Sequence, residues 1–195
     1  MLFRLASYLA ILTVSAPLHS SAFRMVTYNL RYDSKPDNIT PWSLRRLRVA
    51  EQLMSEGIIL AGVVPEVFVE GFQEALVRQV HDLAELLGTD WGWIGIGRDD
   101  GIAAGEFSPI FFKKSEGRLI SNDTFWTSNT PFDVSRFPGA GSFRICTIAY
   151  LQLKSGNRTA FTYLNTHRDD QADAQRQLAA CIVRVSKLSR QTNLS

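Results

Sequence analysis

From Phe23 onward, apolar runs of strand length alternate with stretches of helical periodicity, joined mostly by tight connections. Such a chain folds as packed layers of sheet and helix, α/β or α+β, because each element has one apolar face to bury. Phe23 to Asn29, Glu66 to Gly71, Trp91 to Ile96 and Pro109 to Phe112 read as strands. Phe143 to Leu153 and Ala160 to Leu164 read as a hairpin around Ser155-Gly156-Asn157. Thr40-Pro41 predicts an N-cap and a proline at the first helical position, with Leu44, Leu47, Ala50 and Met54 at helical spacing behind it. Ala75, Leu76, Val80, Leu83 and Leu87 trace a second helix that stops at Gly88. From Gln171 a third helix carries Ala174, Leu178, Cys181, Ile182, Val185 and Leu188 on one face. The 195 residues show no internal repeat or low-complexity tract and suit a single domain.

Residues 1–22 are patterned differently. Arg4 precedes an apolar run from Leu5 to Leu18, and Ser20-Ser21-Ala22 offers small residues at the −3 and −1 positions of a cleavage site before Phe23. The run is shorter than a usual spanning helix and lacks a basic stop-transfer flank, so a cleaved signal peptide is expected rather than a membrane anchor. The expected mature domain is 23–195, secreted, with no membrane contact after cleavage. In that compartment Cys146 and Cys181 are eligible to pair, although two buried free thiols fit equally well. Sequons at Asn38, Asn122, Asn157 and Asn193 suit a secreted chain.

With 45% hydrophobic and 21% charged residues, the composition is globular and excludes a disordered or fibrous chain. A formal charge of +2 does not indicate nucleic-acid binding, which normally needs a basic patch. The one dense basic run, Arg45, Arg46 and Arg48, falls mostly on a solvated helix face.

Polar groups gather where the expected strands end: Asn29, then Gln73 and Glu74, then Arg98, Asp99 and Asp100, then Asn165, Thr166 and His167. Strand ends are where layered sheets assemble ligand sites. A carboxylate and an amide oxygen suit a hard divalent cation, a guanidinium matches a phosphate's paired oxygens, and an imidazole can donate a hydrogen bond or move a proton. Each residue also has a structural reading: Asn29 as a turn former, Glu74 as a first-turn helix residue, Arg98 with its aspartates as a surface loop, and His167 as a hydrogen-bonded core residue. A carbohydrate-binding module would satisfy the same set.

Six segments occur in order: RMVTYNLRYD (24–33), GFQEAL (71–76), IGRDDG…GEFSPIFF (96–112), DTFWTSNTP (123–131), FRICTIAYLQL (143–153) and LNTHRDD (164–170). Together they resemble the successive motifs of the endonuclease/exonuclease/phosphatase superfamily, and they span nearly all of the chain after residue 22. The resemblance implies a DNase I-like four-layer α/β sandwich and a metal-dependent phosphoester hydrolase, nuclease or phosphatase. By the same resemblance Glu74 is the principal magnesium ligand, with manganese an alternative, and Asn29 lies beside metal and phosphate. Arg98, Glu106 and Arg144 line the substrate site. His167 is the catalytic histidine that contacts the scissile phosphate, and Asp169 orients its neighbours. The implied partner is a phosphoester, either a nucleic acid or a small phosphate ester, and no stable protein partner is expected.

The chain also departs from the pattern. Thr166-His167-Arg168-Asp169-Asp170 stands where relatives usually read THLDH, and Trp126-Thr127-Ser128 where they read WLS. The stretch from Ile58 to Val64 is longer than the usual connection into the QE strand. The later GDFN and SDH motifs, which supply the phosphate-positioning asparagine and the water-activating aspartate–histidine pair, do not occur between Asp170 and Ser195. The expectation is therefore a domain missing its C-terminal part, with weak or no turnover. The alternative is an inactive remnant that at most binds phosphate or metal.

Overall fold

The computed structural model of the chain describes residues 24–33, 40–55, 67–154 and 158–180. Seven strands and three helices are placed in them, in mixed α/β order. They are β1 (Arg24–Asn29), α1 (Trp42–Ser55), β2 (Val67–Gln73), α2 (Val77–Leu87), β3 (Trp91–Ile94), β4 (Ile110–Lys113), β5 (Gly117–Trp126), β6 (Ile145–Leu153), β7 (Ala160–Thr166) and α3, described over 173–180. The expected signal segment, Cys181, the 155–157 turn and the sequons at Asn38, Asn157 and Asn193 lie outside the described residues; Asn122 is exposed on β5. No helix among the described residues is long and apolar enough to cross a membrane.

Two sheets form. One has the order β1-β2-β4-β3, with β1 parallel to β2 and the other pairs antiparallel. The other is the antiparallel set β5-β6-β7. Val69, Ile110 and Phe112 of the first sheet pack against Ala149, Leu151 and Leu153 of the second. Polar bonds pin this interface as well: Tyr163 Oη donates to the Val26 carbonyl at 2.9 Å, and Asn165 Nδ2 donates to the carbonyls of Phe72 and Pro109 at 2.6 and 2.8 Å. Gly71 is required here, since a Cβ at this position would lie 2.8 Å from Tyr163 Oη and 2.9 Å from the Asn165 side chain. The far face of the first sheet carries α1 and α2 over a core of Trp42, Leu53, Phe72, Val80, Leu83 and Phe111, among others.

Helix α1 starts one residue later than its sequence suggests. The Pro41 carbonyl accepts from the amides of Leu44 and Arg45 at 3.0 and 3.2 Å, so Pro41 itself caps the helix. The buried stripe also differs. Trp42, Val49, Ala50 and Leu53 face the core, while Leu44, Leu47 and Met54 are exposed. Trp42 decides the rotation, because its indole Nε1 donates to Asp82 of α2 at 2.7 Å while its ring is buried. The basic run is more structural than expected. Arg45 donates to the carbonyls of Leu30, Arg31 and Thr40, Arg46 lies 3.5 Å from Asp82, and only Arg48 is fully on the solvated face. Helix α2 follows its expected stripe and ends at Gly88, whose φ of 86° suits only glycine without strain. On α3 the buried residues are Gln175 and Ala179, whereas Ala174 is exposed.

Strand β5 has no counterpart among the sequence expectations. It lies at the sheet edge, and its centre, Arg118 to Asn122, is mostly solvent-facing, so it carries no sustained apolar alternation.

Candidate active site

Strands β1 and β2 run parallel with Asn29 opposite Gln73, so both end at one edge of the first sheet. The chain leaves β2 through Glu74, whose φ of 58° lies in the left-handed region. For a residue with a Cβ this costs roughly 1–2 kcal/mol and persists only where surrounding contacts hold it. The contacts are in place. Oε1 accepts from Asn29 Nδ2 at 2.8 Å, and Oε2 accepts from the Tyr32 amide at 3.0 Å. Asn29 is fixed in turn, because its Oδ1 accepts from the Arg31 amide at 2.8 Å.

The end of β7 brings His167 to the same place, with Nε2 3.9 Å from Glu74 Oε1. Its Nδ1 faces Arg144 Nη1 at 3.2 Å and Glu106 Oε2 at 3.9 Å. Arg144 stands just before β6 and is 8% exposed; its Nε lies 3.3 Å from Asp169 Oδ2. Asp169 is buried, and its Oδ1 accepts from the amides of Gln171 and Ala172 at 2.9 and 3.0 Å, capping the turn into α3. Burial alone would raise its pKa. The Gln171 and Ala172 amides, the Arg144 guanidinium and the Gly141 amide outweigh that and hold it at about 2.

The third wall is the loop from Gly97 to Glu106. It closes on itself through bonds from Gly97 N to the Ile102 carbonyl, Asp99 N to Ala104 and Arg98 N to Glu106, while Asp100 Oδ1 accepts from the amides of Ile102, Ala103 and Ala104. Arg98 makes a two-pronged pair with Glu106 at 2.8 and 3.0 Å, and Trp126 Nε1 holds the Arg98 carbonyl at 2.8 Å. Burial pushes the Glu106 pKa up, but the His167 ring and the guanidinium charges of Arg98 and Arg144 bring it below its ordinary value. Arg98, Glu106, Ser108, Arg144 and His167 line one shallow pocket.

Asn29, Glu74, Arg98, Glu106, Arg144, His167 and Asp169 are thus brought into one connected group. Other strand-end polar residues serve the fold instead. Gln73 donates to Asn165 Oδ1 at 2.6 Å across the sheets, Thr166 Oγ1 bonds the Ile145 carbonyl, and Asp100 organises its own loop. The Tyr32 amide on Glu74 was not foreseeable, because a backbone donor leaves no side-chain signal in a sequence.

The donor set fits a hard cation of the magnesium type. The Glu74 oxygens and Asn29 Oδ1 each accept one protein hydrogen bond and keep a further lone pair. No group of three or more His, Cys, Asp and Glu residues suited to a metal occurs among the described residues. Magnesium needs no such cage, since it keeps several waters and is commonly held by one or two carboxylates together with substrate phosphate.

A mixed α/β sandwich of two sheets, with an acidic–amide pair and a histidine at the strand ends, is a DNase I-like fold. The chain belongs to the endonuclease/exonuclease/phosphatase superfamily. It is similar to an endonuclease/exonuclease/phosphatase from Bacteroides vulgatus, at 30% identity and TM-score 0.76 over 84% of this chain and 59% of that one. A Bacteroides thetaiotaomicron member of the family is similar at 27% identity and TM-score 0.77, covering 86% of this chain and 58% of that chain. So is a mannosyl-6-phosphatase from Bacteroides thetaiotaomicron, at 27% identity and TM-score 0.75, covering 83% and 57%. The chain therefore spans less than two thirds of the length of these structures. No protein-family profile and no curated protein matches it.

Proposed function

We propose that this chain carries the metal- and phosphate-binding part of a divalent-metal-dependent phosphoester hydrolase. The observation that carries the reading is the convergence of Glu74, Asn29 and His167, with the imidazole 3.9 Å from the carboxylate that is free to take a cation. A cation held by Glu74 and Asn29 supplies Lewis acidity toward a phosphoryl oxygen when bound. Asn29 and the Tyr32 amide orient the Glu74 carboxylate. His167 places a ring nitrogen where it can donate to a phosphoryl oxygen. Glu106 and Arg98 wall one side of the pocket.

A small phosphate ester fits better than a nucleic acid. The arginines at the site are engaged by carboxylates, Arg98 by Glu106 and Arg144 by Asp169. They form no line of phosphate contacts of the kind a polymer backbone exploits. A sugar phosphate is consistent with the mannosyl-6-phosphatase among the similar structures.

The test is hydrolysis of p-nitrophenyl phosphate and bis-p-nitrophenyl phosphate with magnesium or manganese, comparing the chain with His167→Ala. Metal-dependent release that falls in His167→Ala supports the reading; turnover unaffected by metal removal or by the substitution contradicts it. We also propose that residues 1–22 direct secretion. N-terminal sequencing of secreted material should start at Phe23, and recovery of intact Met1 in membranes would point to an anchor.

A further inference from the structure

Two residues of the site carry a Cβ through left-handed backbone: Arg31, at φ 59°, and Glu74, at φ 58°. Each lies just past the end of one of two parallel neighbouring strands, β1 and β2. Such backbone persists only where contacts hold it. One side chain reaches both strand exits. Gln79, the third residue of α2, is fully buried. Its Nε2 donates to the Arg31 carbonyl at 3.1 Å, and its Oε1 accepts from the Leu76 amide, two residues past Glu74, at 3.0 Å. Arg45 also donates to the Arg31 carbonyl, but from α1. Gln79 instead joins the first exit to the second.

We propose that Gln79 is a positioning residue for the Glu74 carboxylate, acting through the peptide unit between Arg31 and Tyr32. The Arg31 carbonyl and the Tyr32 amide belong to that one planar group. Gln79 Nε2 grips its carbonyl side, and its amide side donates to Glu74 Oε2 at 3.0 Å. Fixing the carbonyl therefore fixes the direction in which the amide points. Starting α2 does not by itself explain the glutamine. At the third helical position a glutamate would also accept from the Leu76 amide and would suit the positive end of the helix better. Only the side-chain amide adds a donor for the Arg31 carbonyl. Without that donor the peptide unit loses its bond opposite Glu74 and can turn, and the carboxylate loses a fixed partner.

The inference rests on the hydrolase reading for its meaning, but its first test needs neither metal nor turnover. Amide hydrogen exchange of the metal-free chain is followed by NMR for the wild type, Gln79→Met and Gln79→Glu. In the wild type the Tyr32 amide and the Gln79 side-chain amide should both exchange slowly. In the variants the Tyr32 amide should exchange at least about 10-fold faster, while Leu83 and Leu87 inside α2 keep their rates. A residue that only starts the helix would do the reverse, loosening the first turn of α2 and leaving Tyr32 protected. That result would overturn the proposal, as would one uniform acceleration of all amides. Fast exchange of the wild-type Gln79 side-chain amide would overturn it even if neither variant folds. Magnesium titration of the same samples should show affinity weakened about 10-fold in the variants. A loosened Tyr32 with unchanged affinity would contradict the positioning role. The expected exchange in a wild type that binds no magnesium would count against the hydrolase reading alone.

Discussion

Asn29 Nδ2 donates a 2.8 Å hydrogen bond to Glu74 Oε1, so two parallel neighbouring strands end in a single side-chain pair. The pair explains why Glu74 can hold a left-handed backbone: the strain aims its carboxylate at Asn29 and at the Tyr32 amide. Asn29→Ala removes one of the two donors that orient the carboxylate, together with a candidate oxygen ligand. Magnesium affinity should fall about 10–100-fold, the usual cost of losing an orienting partner. Titration calorimetry with magnesium checks this; unchanged affinity would separate Asn29 from the metal site.

Asp169 links the site to α3. Its folded-state pKa of about 2 lies below its ordinary value of 3.8, so its contribution is present above the unfolded value and is lost as pH falls toward 2. The shift corresponds to roughly 2 kcal/mol. Asp169→Ala should destabilise by more, about 3–5 kcal/mol, because it also leaves the buried Arg144 guanidinium without its main partner. Urea unfolding at neutral pH and near pH 3 measures both effects: the gap between wild type and Asp169→Ala should narrow in acid.

Glu70 is fully buried on β2 between Val26 of β1 and Phe111 of β4, and neither carboxyl oxygen has a hydrogen-bond partner. Burial pushes its pKa up to about 8 from 4.5. Between those values the folded chain keeps a proton that the unfolded chain has released, so stability falls as pH rises, by about 1.4 kcal/mol per unit, and levels off above the folded value. Glu70→Gln should flatten that slope and leave the protein more stable than wild type at pH 9. A slope unchanged by the substitution would show that Glu70 is not the group responsible.

Much of this architecture could be read from the sequence, for identifiable reasons. Strands β1, β4, β6 and β7 and helix α2 announce themselves by apolar runs or stripes bounded by turn formers. Asn29, Glu74, Arg98, Glu106, Arg144, His167 and Asp169 stood out through the family resemblance and do come together. Strand β5 did not, because an edge strand with a solvent-facing centre has no pattern to show. The α1 stripe was misread because leucines at helical spacing look like a core face, whereas the Trp42–Asp82 bond turns the helix the other way. Nor could a sequence show that Arg98 and Arg144 are each engaged by a carboxylate, since the first pair needs the closed Gly97–Glu106 loop and the second needs β6 and β7 side by side.

The Gly97–Glu106 loop offers a mutational check on the pocket wall. A Cβ at Gly97 would sit 2.3 Å from the Ala104 carbonyl oxygen and 2.6 Å from its amide nitrogen, both backbone atoms. Gly97→Ala must therefore open the loop and release the Arg98–Glu106 pair from its place. Limited proteolysis should cut between residues 97 and 106 in the variant and spare the wild type; equal resistance would show that the loop tolerates the change.

The central claim is that Glu74 is the carboxylate that holds a divalent cation. Magnesium bound only by the folded state stabilises it by mass action. The direct measurement is the melting temperature of the chain with and without magnesium, for the wild type and for Glu74→Ala. The account predicts an upward shift in the wild type and none in the variant. An equal shift in both, or no shift in the wild type at saturating magnesium, would contradict it.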